Sequence, residues 1–167
     1  MAFLVCSKFC VYGVVLKHLY RVPHYLTGRY VYSDIKELVM KDLSMAVVVK
    51  RDKVLIQQRY RRNKGMVFEF PGGSVDHGES GEEAAIRELW EETGLSNLKL
   101  LGSHQFQNEF GGDIHYVVLA ALDDSIPKIT DENRQQTFYW FKPNEIPLVD
   151  FYRADVEFIG KYLAKYT

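Results

Sequence analysis

Two short apolar runs on either side of a charged turn form the firmest pattern in the chain. The runs cover residues 45–49 and 54–58, and Arg51, Asp52 and Lys53 lie between them. Runs of this length around a polar turn are typical of a β-hairpin within a sheet. The same pattern predicts further strands at residues 66–70, 98–101, 105–107, 115–122 and 137–141.

Between the early and late strands, the sequence carries signals for the start and the end of a helix. Ser80 can cap a helix with Glu83 three residues on, and Gly94 can end it in the left-handed conformation. We therefore expect a helix over residues 81–93, and an amphipathic pattern predicts a closing helix over residues 155–166. Strands flanked by two helices predict an α/β domain with a mixed sheet.

Two stretches between these elements are interpreted as irregular. The basic residues 59–64 predict a polar loop, and Pro71, Gly72 and Gly73 predict a sharp turn directly before the first helix.

The first 43 residues follow a different pattern from the rest. They are rich in tyrosine and β-branched residues, and Pro23 and Gly28 interrupt them, which predicts short strands and turns. We interpret residues 1–43 as a β-rich N-terminal extension, with a homodimerisation arm as its expected role, and residues 44–167 as the main domain. Lys8 interrupts the apolar start and no basic segment precedes it, so a targeting signal is not favoured. Because no stretch reaches the roughly 18 apolar residues of a membrane span, no membrane partner is expected.

Composition narrows the class of protein. A chain of 167 residues fits one domain, and 47% hydrophobic with 26% charged residues is close to globular averages. The net charge of −1 offers no electrostatic surface for duplex nucleic acid. Only Cys6 and Cys10 occur, too few for a disulfide framework, which favours a cytoplasmic location.

Three glutamates share one face of the predicted helix. Glu88, Glu91 and Glu92 stand at i, i+3 and i+4, a spacing at which like charges destabilise a helix unless a cation neutralises them. Hard cations such as Mg²⁺ take oxygen ligands, and the neighbouring Gly72 and Gly73 let the backbone come close. A solvated acidic helix is the common alternative. Arg87 can reach back to Glu79 and hold the preceding loop as a charge-assisted pair.

The longer spacing decides between these interpretations. Residues 73–95 follow G-x5-E-x7-R-E-U-x-E-E-x-G-U, where U is a bulky aliphatic residue, and this resembles the box of the Nudix hydrolase family (MutT-like). The matching positions are Gly73, Glu79, Arg87, Glu88, Leu89, Glu91, Glu92, Gly94 and Leu95.

The resemblance implies a Nudix fold, with a mixed sheet between helices, over about residues 44–165. It also implies a hydrolase that cleaves a phosphoanhydride (pyrophosphate) bond of a nucleoside diphosphate-linked substrate with Mg²⁺, or Mn²⁺ in its place. The implied metal ligands are Glu88, Glu91, Glu92 and the carbonyl of Gly72, with Glu79 and Arg87 bracing the loop. A further loop acid commonly serves the family as ligand or general base.

Glu132, with Asp131 and Glu109 behind it, is the candidate for that loop acid. The choice of general base among Glu132, Glu91 and Glu88 stays open, since geometry must come before assignment. An exposed loop acid without a role is the alternative for Glu132.

Candidate substrate contacts lie outside the box. Arg59 and Arg61 precede the Gly-rich segment and suit bidentate phosphate binding, although a solvated loop is the alternative. By resemblance to the members of the family that cleave 8-oxo-dGTP, Asp150 or Asp155 would bind a base edge and Tyr152 would stack on the base.

The expected substrate is a small-molecule nucleotide, with nucleoside triphosphates favoured. ADP-ribose or nucleotide-sugar pyrophosphatases are the main alternative, because they also carry an N-terminal extension. They also carry a characteristic proline about 15 residues beyond the box, and this chain has Glu109-Phe110-Gly111-Gly112 there. Two further alternatives are a non-catalytic nucleotide-sensing protein of the same fold and an enzyme acting on RNA 5′ ends through its local basic segment.

Overall fold

A seven-stranded sheet with one helix on each face forms the main domain. The computed structural model describes residues 41–62, 64–108, 111–130 and 135–167. The strands are β1 Leu43–Lys50, β2 Lys53–Arg61, β3 Gly65–Glu69, β4 Gly72–Ser74, β5 Leu98–Gln107, β6 Asp113–Ala121 and β7 Gln136–Phe141. The helices are α1 Gly81–Thr93 and α2 Arg153–Tyr162, with 3-10 turns at Pro143–Glu145, Leu148–Asp150 and Leu163–Lys165.

The sheet is mixed, as the sequence predicts. Strands β3, β2, β1, β6 and β5 follow one another across it, β4 pairs with β1, and β7 pairs with β2. The β1–β6 pair is parallel, with Val47 opposite Val118, and the other pairs are antiparallel. The C-terminal half of β2 therefore lies between β3 and β7, where Arg59 is opposite both Val67 and Gln136.

Alternate residues of β1 face two different cores, because successive side chains of a strand point to opposite faces. Ala46 and Val48 pack with Ala85 and Leu89 of α1. Val47 packs on the other face with Phe158 of α2 and belongs to a larger aromatic core. The two helices thus cover opposite faces of the sheet.

Helix α1 begins and ends at the predicted residues. The Ser80 hydroxyl accepts from the Glu83 amide, Glu83 accepts from the Ser80 amide, and Gly94 ends the helix at φ 73°. The Ser44 hydroxyl of β1 donates to the Gly81 carbonyl and so ties the start of the helix to the sheet. These contacts fix where α1 begins and ends, and so the register of the glutamates along it.

The structure confirms several predicted elements: the β1–β2 hairpin, helix α1, and the strands near residues 66–70, 115–122 and 137–141. The predicted loop at residues 59–64 is wrong in its first half, because β2 continues through Arg61. The predicted sharp turn contains strand β4, which pairs with β1.

Two further predictions need correction. Residues 98–107 form one strand with an irregularity between Leu100 and Gly102, where two strands were expected. Helix α2 begins two residues earlier than predicted, at Arg153, and its regular part ends at Tyr162. The predicted extension over residues 1–43 lies outside the described residues up to position 40, and its role as a dimerisation arm stays a prediction.

No helix in the described part of the chain is long and apolar enough to cross a membrane.

Candidate active site

Strand β2 places alternate polar side chains on the face that α1 covers. Leu55 packs under α1, so Gln57, Arg59 and Arg61 follow it on the same face at a spacing of two residues. Gln57 is fully buried, and the Arg59 side chain is 12% exposed. The face therefore changes from an apolar core to a buried polar cluster along one strand.

Glu69 of β3 is the centre of that cluster. Its carboxylate accepts from Arg61 Nη2 at 2.9 and 3.1 Å and from Arg61 Nε at 3.2 Å. Gln57 Nε2 donates to it at 3.2 Å, and Arg59 Nε forms an ion pair with the same oxygen, Oε1. Burial raises the pKa of Glu69, and the Arg61 guanidinium opposes that shift. Two arginines thus compensate the burial of one carboxylate.

Glu92 of α1 is buried against the same cluster. Its Oε1 accepts from Arg59 Nη1 at 3.0 Å, and its Oε2 accepts from the Gly72 amide at 3.1 Å and from Gln57 Nε2 at 3.4 Å. The side chain is 3% exposed. Arg59 and Gln57 therefore bridge Glu92 to Glu69, which is located 23 residues earlier in the chain.

The other two glutamates of α1 lie nearer to solvent. Glu88 is 18% exposed and accepts from Arg87 Nη1 at 2.9 Å. Glu91 is 49% exposed, 3.6 Å from the same nitrogen. The three carboxylates are thus graded from the buried Glu92 to the open Glu91 rather than equally exposed on one face.

Arg87 and Glu79 join α1 to the preceding loop, as predicted. Arg87 Nε donates to Glu79 at 2.8 Å and Arg87 Nη2 donates to it at 2.9 Å. The hydrogen bonds from Arg87, followed by that from the Asp76 amide, lower the pKa of Glu79 to about 2. Arg87 Nη2 also donates to the Ser74 carbonyl at 3.0 Å, so one guanidinium fastens loop, strand and helix together.

Two glycines make room for this arrangement. A Cβ atom at Gly73 would collide with the Glu88 carboxyl group, and one at Gly72 would collide with the Ser44 carbonyl and Met45. Gly72 also has a φ of 156°, at the edge of the region that favours glycine. Glycine at position 72 therefore allows β4 to lie close against β1, whereas glycine at position 73 leaves room for the Glu88 carboxylate.

A polar cavity of about 880 Å³ collects these groups. Its lining residues are Leu43, Arg59, Tyr60, Arg61, Gly72, Gly73, Ser74, Glu88, Glu92 and Gln135. Two arginines of β2 and two glutamates of α1 thus line one space that is large enough for a small ligand.

The donor set fits a hard divalent cation. Carboxylate oxygens of Glu88 and Glu92 and the backbone of Gly72 border one cavity, and oxygen ligands are what Mg²⁺ prefers. Among the described residues, no three His, Cys, Asp or Glu side chains lie together as a ready metal site. In the structure Arg59 pairs with Glu92, and Arg87 pairs with Glu88.

The predicted base-binding residues lie outside this cavity. Asp150, Tyr152 and Asp155 are located at the start of α2, on the other face of the sheet. Asp155 is 1% exposed, and its Oδ1 accepts from the Tyr116 hydroxyl at 2.7 Å. Lys64 Nζ lies 3.7 Å from the centre of the Tyr152 ring, so Tyr152 borders the β2–β3 connection.

Glu132, Asp131 and Glu109 fall outside the described residues, and their predicted roles stay predictions. Sequence reasoning missed Gln57 and Glu69. The alternation of Leu55, Gln57, Arg59 and Arg61 along one strand could have indicated a polar continuation of the buried face.

Known proteins resemble this chain over the described domain. The family model for the NUDIX domain matches residues 40–162. An oxidized purine nucleoside triphosphate hydrolase of Danio rerio is 33% identical over 132 residues, covering 75% of this chain and 81% of that protein. A CTP pyrophosphohydrolase of Escherichia coli is 28% identical over 124 residues, covering 72% and 90%. The crystal structure of a MutT NUDIX hydrolase from Burkholderia pseudomallei has a TM-score of 0.57 at 24% identity, over 73% of this chain and 97% of that one, which shows a shared fold.

Proposed function

We propose that this protein hydrolyses nucleoside triphosphates with Mg²⁺ in the cavity between β2 and α1. The proposal starts from the family: the chain belongs to the NUDIX family and is a pyrophosphohydrolase acting on acid anhydrides. One observation carries the proposal. Arg59 and Arg61 line the same cavity as Glu88 and Glu92, so groups that suit phosphates face groups that suit a divalent cation.

In this proposal Glu88, Glu91, Glu92 and the Gly72 carbonyl hold Mg²⁺, and Mn²⁺ can take its place. When bound, such a cation neutralises phosphate oxygens and makes a water nucleophilic at neutral pH. Glu132 is the proposed further ligand or base from outside the box. Glu88 and Glu91 stay alternatives to it as the base.

Arg59 and Arg61 would bind the non-bridging oxygens of the phosphates. Both guanidinium groups are paired with Glu69, so little side-chain freedom would be lost when they bind phosphate oxygens. Holding the phosphates in one orientation is the main contribution that a protein makes to this type of reaction.

The Arg87–Glu79 pair, which we call the loop brace, would act on Glu88. Arg87 donates to Glu88 as well as to Glu79, so the loop and the proposed ligand are fixed by one side chain. Arg87 and Glu79 thus serve as positioning residues in this proposal.

Asp150, Tyr152 and Asp155 stay the proposed contacts to the base. Tyr152 borders the β2–β3 connection, and Tyr60 and Arg61 at the end of β2 line the cavity. A nucleotide whose phosphates lie in the cavity would therefore direct its base along this connection towards α2. The two relatives named above support triphosphates over ADP-ribose, because both are named for nucleoside triphosphate substrates.

The test is a product analysis in H₂¹⁸O with Mg²⁺. The substrates are the common and 8-oxidised nucleoside triphosphates, ADP-ribose, a nucleotide sugar and 5′-triphosphate RNA. We expect a nucleoside triphosphate to give the highest kcat/KM, with a nucleoside monophosphate and pyrophosphate as products. A higher kcat/KM for ADP-ribose or the nucleotide sugar would favour the alternative family branch. Binding of nucleotides without turnover of any substrate would contradict catalysis.

A further inference from the structure

Arg59 is shared between two glutamates with different roles. Its Nη1 donates to Glu92 Oε1 at 3.0 Å, and its Nε forms an ion pair with Glu69 Oε1. The two carboxylates are 3% and 1% exposed. One guanidinium therefore neutralises, from two of its edges, a proposed metal ligand and a glutamate outside the box.

The two oxygens of Glu92 have different partners. Oε2 accepts from neutral donors, the Gly72 amide and Gln57 Nε2, whereas Oε1 accepts from the charged Arg59. Arg59 is thus a cation in direct contact with this carboxylate. A divalent cation at Oε1 would lie within a few ångströms of the Arg59 guanidinium, and two cations at such a distance repel strongly in a buried setting.

Arg61 differs from Arg59 in one respect that matters. It also binds Glu69, through both Nε and Nη2, but among the described residues its hydrogen bonds go to Glu69 and not to Glu92, and its side chain is 39% exposed. The cluster thus contains one arginine that reaches both glutamates and one that is anchored on Glu69. This pair offers a matched comparison within one strand.

We propose that Arg59 is an exchangeable counter-cation of Glu92, which leaves Glu92 when a divalent cation binds there and remains anchored on Glu69. The released Nη edge then turns into the cavity towards the phosphates of the substrate. Glu69 is the positioning residue of this exchange. The inference rests on the proposed function, since it assumes that Glu92 is a metal ligand.

A consequence is that cation and nucleotide binding assist each other. The cation frees the Arg59 edge that contacts phosphate, and phosphate contact keeps Arg59 away from Glu92. By linkage each ligand raises the affinity of the other by the same factor.

The direct test is NMR of the arginine side chains in the wild-type protein, titrated with Mg²⁺ in the absence of nucleotide. We expect slow rotation of the Arg59 Nη groups without Mg²⁺ and faster rotation when Mg²⁺ is bound. The signals of Arg61 should change little. Saturation by Mg²⁺ with unchanged Arg59 signals would overturn the exchange.

A second test uses Mn²⁺ binding followed by electron paramagnetic resonance. We expect Arg59→Gln to raise Mn²⁺ affinity about tenfold, the lower end of the coupling found between close charge pairs. Arg61→Gln should leave the affinity within about twofold, which separates the ion pair at Glu92 from a general loss of positive charge. Equal changes in both variants, or weaker binding in Arg59→Gln, would contradict the proposal.

The outcomes also separate this proposal from the proposed function. Arg59 exchange on Mg²⁺ binding without turnover of any nucleotide would leave the exchange standing and remove the enzymatic proposal. Nucleotide turnover with unchanged Arg59 signals would support the enzymatic proposal and remove the exchange. Mn²⁺ affinity unchanged in Glu92→Gln would remove the metal ligand on which the exchange depends, and with it the exchange.

Discussion

At the scale of single residues, the site depends on Gly73 having no side chain. The Glu88 carboxyl group occupies the position of a Cβ atom at residue 73. Gly73→Ala must therefore displace Glu88, and a misplacement of about 1 Å can cost roughly a hundredfold in rate. We expect a loss of kcat of about that size with the fold intact.

Gly160 on α2 provides the control for this substitution, because nothing lies within 4 Å of a Cβ atom there. Gly160→Ala should leave the steady-state rate unchanged. Equal rates for wild type and Gly73→Ala would show that Glu88 does not need its present position.

The pKa of Glu79 makes the loop brace measurable. Its folded pKa is about 2, below the unfolded carboxyl value of about 4.3, because Arg87 and the Asp76 amide donate to the ionised form. A lowered pKa stabilises the folded state above the unfolded value, and this stabilisation is lost as pH falls towards 2. We expect the Glu79 carboxyl carbon to titrate near pH 2 by NMR.

In Arg87→Met the same carbon should titrate at a clearly higher pH, still below its ordinary value because the Asp76 amide continues to donate to it. Titration of Glu79 at its ordinary pH in the wild type would refute the brace.

Residues of the site differ in how far sequence predicts them. The Arg87–Glu79 pair was predicted because both positions belong to a motif of fixed spacing, and the contact is present. Glu69 was missed because a lone glutamate in a short strand carries no spacing signal. Its role comes from β2 and β3 pairing in a register that places it opposite Gln57.

At the scale of elements, α1 carries the chemistry and its caps fix it. Ser80→Ala removes the side chain that accepts from the Glu83 amide, and such a loss costs about 1 kcal/mol of stability. Urea unfolding should show this decrease in the free energy of unfolding. Ser80→Thr keeps a hydroxyl that can accept from the Glu83 amide and donate to the Glu83 carboxylate, and it should restore most of the loss. A decrease of equal size in both variants would mean that the cap bond is not the cause.

Strand β2 shows where sequence patterns were insufficient. Charged residues after an apolar run are typical of a loop, and on that ground residues 59–64 were predicted as one. The structure instead continues the strand through Arg61, because pairing with both β3 and β7 satisfies the backbone. Buried glutamates from β3 and α1 compensate the arginines, and these partners are distant in sequence.

At the scale of the whole molecule, the two faces of the sheet differ: one carries the larger core and the other carries the candidate site. The face under α2 is an aromatic core in which Phe158 stacks on Tyr116 at 4.5 Å. The face under α1 is apolar at Leu55 and polar from Gln57 onward. Periodicity and motif spacing predicted the two helices and the mixed sheet, whereas the polar end of the α1 face depends on tertiary pairing.

Pyrophosphate release from a nucleoside triphosphate, measured with Mg²⁺ for wild type and Glu92→Gln, tests the central claim most directly. Glu82 is exposed on the same helix, so Glu82→Gln is the matched control. We expect Glu92→Gln to lose roughly a thousandfold or more in kcat, because a buried ligand and its charge are removed together. Glu82→Gln should retain the wild-type rate. Unchanged turnover in Glu92→Gln would contradict the assignment of this cavity as the active site.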